Sequence, residues 1–428
     1  MAERGAVSSM VASARAPRRG PLGTLLTANA ISLVGNQLTA LAIPWFVLQT
    51  TGSAARTGIV TVAAVVPTIL AAFFGGALVD RLGFRRTSII ADVASGVTTA
   101  LIPLLYATIG LAFWQLLVLV FLGALLDAPG GTARSSLIPD LARLAHVPLE
   151  RVSAASQTIQ GFAGLLGPPV AGLLIVVVGT SQVLWLDAAS FAISAMMIGL
   201  AVPAAVPRPR TGTRYLDDVR TGLRFLVRDR LLLAIALTAT VTNFVASPLF
   251  AVILPVYAET RYGSARDLGL AIAGFGAGSL VSSIVFGIVG SRSSRRALVL
   301  GGFAVLGLPM WALVFWPPLP VLIAALVGMG IGGGILNPLV GTVLQERTPE
   351  EMRGRVLGTF MALALLAAPV GMLLSGFLIE IVGLRPLLAG MGVLLAALTI
   401  SLAINPAIRE LDTPPPGPTS SPVAPSVA

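Results

Sequence analysis

The chain has 428 residues, of which 56% are hydrophobic and only 11% charged, so it has too little polar surface for soluble domains of that length. It contains no Cys and a single His, which excludes a disulfide framework, a thiol nucleophile and the usual clustered metal sites, and we expect neither a metal nor a cofactor. The net charge of +10 is scattered between apolar runs and not gathered in one domain, so we do not expect a nucleic-acid partner.

Apolar runs recur along the chain, and each is long enough to cross about 30 Å of hydrocarbon as a helix. They predict an all-α membrane protein with twelve transmembrane helices in two six-helix bundles. In chain order the predicted spans are residues 24–50, 56–79, 87–109, 112–134, 152–178, 182–203, 231–258, 268–290, 297–316, 319–345, 355–381 and 385–405. The predicted domains are an N-terminal tail at 1–20, a bundle at 21–203, a linker at 204–230, a second bundle at 231–405 and a disordered, proline-rich tail at 406–428.

The first 20 residues carry four arginines and run into a long apolar segment, so we expect a retained cytoplasmic tail and not a signal peptide. Arginines stay on the cytoplasmic side of a membrane and therefore test the topology. If both termini are cytoplasmic, 24 of the 28 arginines fall inside, and the four outside are Arg56, Arg261, Arg266 and Arg385. We therefore expect cytoplasmic termini and a multi-pass protein of the cell inner (plasma) membrane.

The linker between the two predicted bundles is rich in Pro and Arg. Its second part, from Tyr215 to Arg230, is amphipathic, and we expect it to lie on the lipid headgroups.

The two predicted bundles repeat a spacing of glycine and polar residues. The matched positions, 210 or 211 residues apart, pair Gly76 with Gly287, Arg81 with Arg292, Arg85 with Arg296, Asp127 with Asn337, Pro139 with Pro349 and Asp140 with Glu350. Similar spacing predicts a duplicated, pseudo-symmetric six-helix unit. Two like units can rock about a site between them and expose it to each side in turn, so the repeat predicts a transporter.

The segment between predicted spans two and three reads GALVDRLGFRR over residues 76–86. It resembles the G-x-L-x-D-R-x-G-R-R/K signature of the major facilitator superfamily, with Phe84 where that family usually has a basic residue. The resemblance implies a latch that closes the cytoplasmic side, with Asp80 facing the start of span eleven and Arg85 paired with Asp127. The expected latch residues are Gly76, Asp80, Arg81, Gly83, Arg85, Arg86 and Asp127. An ordinary charged turn is the alternative.

Span five contains AGLLGPPVAG over residues 163–172, which resembles the G-x-x-x-G-P-x-x-G-G element of exporters in the same superfamily. Prolines bend a helix and small residues allow close packing, so this segment is predicted to form a hinge or a seal. Its expected members are Gly164, Gly167, Pro168, Pro169 and Gly172. The alternative is that Gly and Pro are simply common in membrane helices. SLIPDL at 136–141 and QERTPEEMRGRV at 345–356 resemble the macrolide-efflux and siderophore-exporter branch of drug:proton antiporters.

Several amide side chains lie within the apolar spans, where each costs free energy unless it faces the interior of a bundle. As a set they are predicted to line a cavity for a small amphipathic molecule, and hydrogen bonds between helices are the alternative for each one. They are Asn29, Asn36, Gln37, Gln157, Gln160, Asn243 and Asn337.

Four acids fall within the predicted spans: Asp92 and Asp127 near cytoplasmic ends, and Asp187 and Glu380 near outer ends. A carboxylate inside the membrane can load and release a proton, and Asp187 is the predicted carrier, with an interfacial carboxylate as the alternative. Span four has no basic residue before Arg134, which is assigned to a cytoplasmic loop. Proton coupling is therefore implied by the resemblance alone.

The predicted function is secondary active transport, in which a hydrophobic or amphipathic small molecule, such as a drug, macrolide or siderophore-like compound, is exported by alternating access. We expect protons as the coupling ion and a monomer in the lipid bilayer. An importer or lipid flippase of the same fold, and a transport-inactive membrane sensor, remain open. The sequence has neither the motifs of intramembrane proteases nor a Walker A sequence, so we do not expect an enzyme.

Overall fold

The computed structural model describes residues 19–203 and 215–413, and over these ranges the chain is helical without a strand. Twelve helices are long and apolar enough to cross a membrane, which confirms the predicted number of spans and the all-α fold class. The spans are α1 (Gly20–Thr51), α2 (Ala54–Leu82), α3 (Phe84–Thr108), α4 (Phe113–Leu144), α5 (Leu149–Val178), α6 (Thr180–Ala201), α7 (Arg230–Tyr262), α8 (Ala265–Val289), α9 (Arg295–Val314), α10 (Leu319–Arg347), α11 (Glu350–Val382) and α12 (Leu384–Ile404).

Two spans are not regular α-helices throughout. α7 passes through a π-helical turn at Leu249–Ile253, directly after Pro248. α11 begins with the 3-10 turn Glu350–Met352 and is interrupted again at Ala367, two residues before Pro369. Proline lacks a backbone donor and clashes with the carbonyl four residues before it, so it disturbs the preceding turn; Pro255 follows the π turn and Pro369 follows Ala367. Both irregular spans line the cavity of the C-terminal bundle.

The segment between the bundles contains a helix, Tyr215–Arg228, which we call the linker helix. Its Leu226 is fully buried, and Gly222 packs so closely against α11 that a Cβ there would lie 2.3 Å from Thr359 Oγ1. The linker helix is therefore fixed to the beginning of α11. Parts of the predicted tails and linker lie outside the described residues, namely 1–18, 204–214 and 414–428.

The chain remains ordered beyond α12. Pro406–Asp412 forms a 3-10 helix in which Ala407, Ile408 and Leu411 are buried. The composition predicts a disordered tail from residue 406, but this first stretch is ordered because three apolar side chains pack against the second bundle.

The fourth span is longer than predicted. Its apolar run ends at Arg134 and predicts a span over 112–134, but α4 continues as one helix to Leu144. Arg134 therefore lies within the helix with a buried side chain, and not in a cytoplasmic loop as the sequence suggested. This correction places a cation inside the N-terminal bundle.

An even number of spans brings both ends of the described chain to one side of the membrane. We call this side, where α1 begins and α12 ends, the terminus face, and the opposite side the distal face. Within a bundle the helices approach closely at glycines, as where a Cβ on Gly330 of α10 would lie 2.0 Å from the carbonyl oxygen of Phe275 on α8. Such close packing is what holds helices together in lipid.

The two bundles touch near the distal face. Glu380 of α11 accepts hydrogen bonds from Ser53 Oγ at 2.7 Å and from the backbone N–H of Ala55 at 3.0 Å, at the start of α2. A Cβ on Gly172 of α5 would lie 2.3 Å from the carbonyl oxygen of Ala265 on α8. Among the residues described, the hydrogen bonds and close glycine contacts between bundles all lie in the distal halves of the spans. The cleft between the bundles is therefore closed at the distal face and opens toward the terminus face.

We expect Gly172→Ala to open this distal contact, because the new Cβ would collide with a backbone oxygen that cannot rotate away. Gly164→Ala in the same segment is the matched control, since a Cβ there meets nothing within 4 Å. The chain has no Cys, so spin labels can be attached at Ile109→Cys and Glu259→Cys, two exposed positions near the distal face on different bundles. The distance between the labels should increase only in Gly172→Ala. Equal distances in both variants would show that this contact does not hold the bundles together.

Candidate functional site

Four ionisable side chains lie together inside the N-terminal bundle: Asp92 of α3, Asp127 and Arg134 of α4, and Asp187 of α6. Asp92 and Asp187 are 0% and 1% exposed, and Arg134 is 4% exposed. Charged groups are costly within a membrane unless they are paired, and those that are kept there usually serve function. We therefore take this buried charge cluster as the candidate functional site.

Arg134 lies between two of the acids. Its guanidinium donates a hydrogen bond to Asp92 Oδ1 and lies 3.6 Å from Asp127 Oδ1. The second oxygen of Asp92 accepts a hydrogen bond from Ser194 Oγ at 2.7 Å. One guanidinium cannot neutralise two carboxylates, so the three side chains carry excess negative charge when both acids are ionised. This excess makes the three side chains a candidate site for a proton within the membrane.

Asp127 connects the charge cluster to α1 and to the cleft. Its Oδ2 accepts a hydrogen bond from Asn36 Nδ2 at 3.1 Å, and 26% of its side chain remains exposed. A carboxylate facing lipid would be expensive, so we assign the exposed part to the cleft between the bundles. Asp127 is therefore the member of the cluster that the cleft can reach.

Asp187 lies between α6 and α1. Its carboxylate accepts hydrogen bonds from Thr39 Oγ1 at 2.5 Å and from Ser190 Oγ at 3.2 Å. Gly35 makes room for it, because a Cβ there would lie 2.3 Å from Asp187 Oδ1. Asp187 is thus buried between α6 and α1, seven residues after α6 begins at Thr180. Its role as a proton carrier stays a prediction.

The polar residues of this site follow the helical period. α6 contributes Asp187, Ser190 and Ser194, and α3 contributes Ser88, Asp92 and Ser95, at spacings of three and four residues. Such spacings place each set on one face of its helix, and all six side chains are buried. These two stripes are a signal in the sequence from which the site could have been found.

Arg85 and Asp127 do not form the pair that the resemblance implied. Arg85 donates a hydrogen bond to the carbonyl oxygen of Gly199 on α6, and Asp127 is occupied by the partners described above. The reason is the length of α4, because Asp127 lies 17 residues, or about 25 Å, from the end of that helix at Leu144. Arg85, in the first turn of α3 at the terminus face, lies at a different depth.

The other predicted latch residues lie where α2 meets α3. Gly83 has a φ of +80°, which favours glycine, and precedes the first residue of α3, while Arg86 is exposed. The side chains of residues 72–81 are outside the described part of the structure, and the roles of Gly76, Asp80 and Arg81 therefore stay predictions.

The C-terminal bundle encloses a cavity of about 380 Å³ that is lined mainly by aliphatic and aromatic side chains of α7, α10 and α11. Its few polar side chains include Thr238, Thr242, Asn243 and Asn337, and none of its lining residues is charged. The side-chain nitrogen of Asn243 donates to the carbonyl oxygen of Ala239 in its own helix at 2.9 Å. This bond does not use the side-chain oxygen, which can accept a hydrogen bond from a bound molecule. An apolar cavity with a few amides fits an amphipathic organic molecule.

The predicted cavity residues are thus divided among several places. Asn243 and Asn337 line the cavity of the C-terminal bundle, and Asn36 binds Asp127. Asn29 is partly buried on α1, whereas Gln157 and Gln160 are exposed on α5, and these three do not line that cavity.

The predicted hinge segment lies in α5, which continues through Pro168 and Pro169 as a helix. Gly167 packs against α1, where a Cβ would lie 2.5 Å from Gln37 Cβ, and Gly172 packs against α8 as described above. Gly164 faces open space. The segment therefore takes part in the contact between the bundles, and its role as a hinge stays a prediction.

The amides and the acid occupy equivalent spans in the two halves. Asn36 and Asp127 lie on α1 and α4, and Asn243 and Asn337 lie on α7 and α10. Where the first half has a carboxylate, the second has an amide. At this pair of positions the first half therefore has an ionisable side chain and the second half has an uncharged one.

Comparison with known proteins gives a family and several relatives. A family model described as Major Facilitator Superfamily matches residues 25–265 and 236–426. The chain is 32% identical to the multidrug efflux pump Tap of Mycobacterium tuberculosis (strain ATCC 25618 / H37Rv), over 96% of this chain and 99% of that one. It is 22% identical to macrolide efflux protein A of Streptococcus pyogenes, over 91% and 96% of the two chains.

Solved structures share the fold at low sequence identity. The nucleoside transporter NupG superposes with a TM-score of 0.68 at 12% identity, covering 90% of this chain and 99% of that one. A D-xylose-proton symporter superposes with a TM-score of 0.65 at 16% identity, covering 91% and 97%.

Proposed function

The chain belongs to the major facilitator superfamily and is a multi-pass membrane transporter, not an enzyme, and on that premise we propose that it exports hydrophobic or amphipathic small molecules in exchange for protons. The relatives that are named as efflux pumps match nearly the whole chain, which supports export. Drugs and macrolides are the substrate classes that their names suggest.

The observation that carries proton exchange is the buried charge cluster. Arg134 compensates only one of the two carboxylates next to it, and Asp187 lies in the same bundle without a cation of its own. Other titratable side chains on the helices that form the cluster include Arg85, Tyr106, Asp140 and Arg143, whereas α1 has none. Carboxylates that a single cation does not compensate are suited to carry a proton within a membrane, and access to the cleft through Asp127 provides a route for loading and release.

The cavity of the C-terminal bundle suits the substrate side of this exchange. Burying apolar surface contributes roughly 25 cal/mol per Å², and a wall without charges accepts neutral molecules and lipophilic cations alike. Asn243 and Asn337 offer hydrogen bonds that orient the polar end of an amphipathic compound. We expect this cavity to accept many different substrates, since few of its side chains require a particular functional group on the bound molecule.

Alternating access would couple the charge cluster of the N-terminal bundle to the cavity of the C-terminal bundle. With the distal contacts closed, the cleft receives a substrate from the terminus face, which the distribution of arginines assigns to the cytoplasm. Breaking the Glu380 and Gly172 contacts would let the bundles rock and release the substrate at the distal face. We place the transporter, as a monomer, in the plasma membrane.

The test is transport by purified protein in liposomes with an imposed pH gradient. An antiporter accumulates a fluorescent dye or macrolide in liposomes that are acidic inside, and each addition of substrate makes the lumen more alkaline. Collapse of the gradient with a proton ionophore should abolish the accumulation. Accumulation with the opposite gradient would instead indicate symport, and movement of a labelled phospholipid alone would indicate a flippase. Failure of every compound in a panel to move protons would contradict antiport.

A further inference from the structure

The first turns of α7 have two different faces. Ile235 and Ala239 line the cavity inside the bundle. Arg230, Ala234 and Leu237 line a separate groove of about 320 Å³. With 3.6 residues per turn, the two sets project to nearly opposite sides of the helix, so the groove is on the outside of the bundle. Leu237 is 58% exposed, which agrees with a position facing lipid.

Arg230 lies at the end of the groove that is nearest to the terminus face. It is the first residue of α7, is exposed, and forms no salt bridge with the residues that the structure describes. Leu237 lies about 10 Å further along the same face, at hydrocarbon depth. The groove thus combines a cation at the membrane boundary with an aliphatic wall below it.

The opposite wall of the groove leaves this cation free. It consists of the turn after α12, from Asn405 to Ala407, and of Glu410. The carboxylate of Glu410 pairs with Arg347 at 3.1 Å, and Arg347 also lies 3.4 Å from Asp229; among the described residues, no salt bridge joins either carboxylate to Arg230.

The linker helix adds a second basic feature on the same face of the membrane. Arg220, Arg224 and Arg228 follow one another at intervals of four residues and are exposed, which places them in a row about 6 Å apart. Leu223 and Val227 are exposed beside this row, at 41% and 53%. Among the side chains that the structure describes, which begin at residue 219 in this helix, no salt bridge to these three arginines is present. A row of cations beside exposed aliphatic side chains is typical of a helix on an anionic lipid surface.

We propose that the groove, defined by Arg230, Leu233, Ala234, Leu237 and the turn after α12, binds one anionic phospholipid. The lipid phosphate pairs with Arg230 and one acyl chain follows Leu233 and Leu237. The arginine row of the linker helix attracts the same leaflet. A soluble phosphate would leave the aliphatic wall unused, and a peptide would have to enter hydrocarbon, so the depth of the groove selects a lipid.

Native mass spectrometry of the detergent-solubilised full chain, titrated with phosphatidylglycerol or phosphatidylcholine, tests this site. Wild type should bind one phosphatidylglycerol more tightly than phosphatidylcholine, and Arg230→Gln should weaken that binding about fivefold. Leu237→Gln changes the exposed wall without changing the charge and should weaken phosphatidylglycerol binding as well. Arg151→Gln, an exposed arginine elsewhere on the terminus face, is the control and should bind as wild type does.

Ala234→Trp fills the groove and provides an independent check, with its thermal unfolding compared with that of wild type. Loss of the tight phosphatidylglycerol site in a stably folded Ala234→Trp variant would support the groove. Equal affinity of wild type for both lipids would overturn the proposal. The proposal would also be overturned if Arg230→Gln lost phosphatidylglycerol binding while Leu237→Gln and Ala234→Trp bound it as wild type does. Surface charge alone would then explain the binding.

Discussion

Arg134→Gln is expected to destabilise the protein by about 3–5 kcal/mol, because removing one partner of a buried ion pair leaves the other charge uncompensated. Asp92 is fully buried and would keep only the hydroxyl of Ser194 as a described partner. The variant should also lose transport driven by a pH gradient, because Arg134 is the cation that holds Asp92 and lies 3.6 Å from Asp127 in the proposed proton site. Thermal unfolding in detergent and dye accumulation in liposomes measure the two effects.

Two further variants test the origin of the Arg134 effect. Arg143→Gln removes an arginine from the same helix, but its side chain is 59% exposed, and an exposed pair such as Arg143–Asp140 contributes about 0–1 kcal/mol. It should therefore behave nearly as wild type. Asp92→Asn combined with Arg134→Gln removes both charges and should recover much of the stability while transport stays lost. Equal destabilisation in the single and double variants would refute compensation between Arg134 and Asp92.

Asp187→Asn is expected to lower gradient-driven accumulation of substrate by about tenfold or more, which corresponds to at least roughly 1.4 kcal/mol. The amide has nearly the shape of the carboxylate and can keep hydrogen bonds with Thr39 and Ser190, but it cannot carry a proton. Exchange of labelled for unlabelled substrate without a gradient should continue. Comparison of the two assays on the same liposomes separates coupling from substrate binding.

The controls for Asp187 vary the position of the acid and its surroundings. Glu259→Gln removes an exposed carboxylate near the distal face and should leave both assays unchanged. Ser190→Ala keeps the carboxylate but removes its 3.2 Å hydrogen bond, and should have a smaller effect than Asp187→Asn. If Asp187→Asn reduced gradient-driven accumulation and exchange to the same extent, its role would be structural.

The sequence predicts the spans well because hydropathy adds up residue by residue along a run. The twelve predicted runs correspond to α1–α12, and most boundaries agree within a few residues. The repeat of polar positions at 210 and 211 residues is likewise visible in one dimension, and it pairs Asp127 with Asn337 on equivalent spans α4 and α10. Family membership follows from local motifs in the same way.

The sequence also identifies single polar residues in apolar runs. Asn36, Asn243, Asn337 and Asp187 stand out because each costs free energy in lipid unless it has a partner or faces the interior. The sequence does not reveal which partner each residue has. Asn36 binds an acid 91 residues away, while Asn243 and Asn337 share a cavity in the other bundle.

Arg134 illustrates what only the tertiary structure decided. Along the sequence a charge ends an apolar run, which is why the fourth span was predicted to stop there. In three dimensions the cost of that charge is offset by Asp92, 42 residues earlier on α3, and α4 continues to Leu144. Hydropathy assigns each residue its own free energy, whereas a buried ion pair has a free energy that belongs to two residues at once. The composition of the chain therefore determined that its helices cross the membrane, and their packing alone determined which charges could be buried within it.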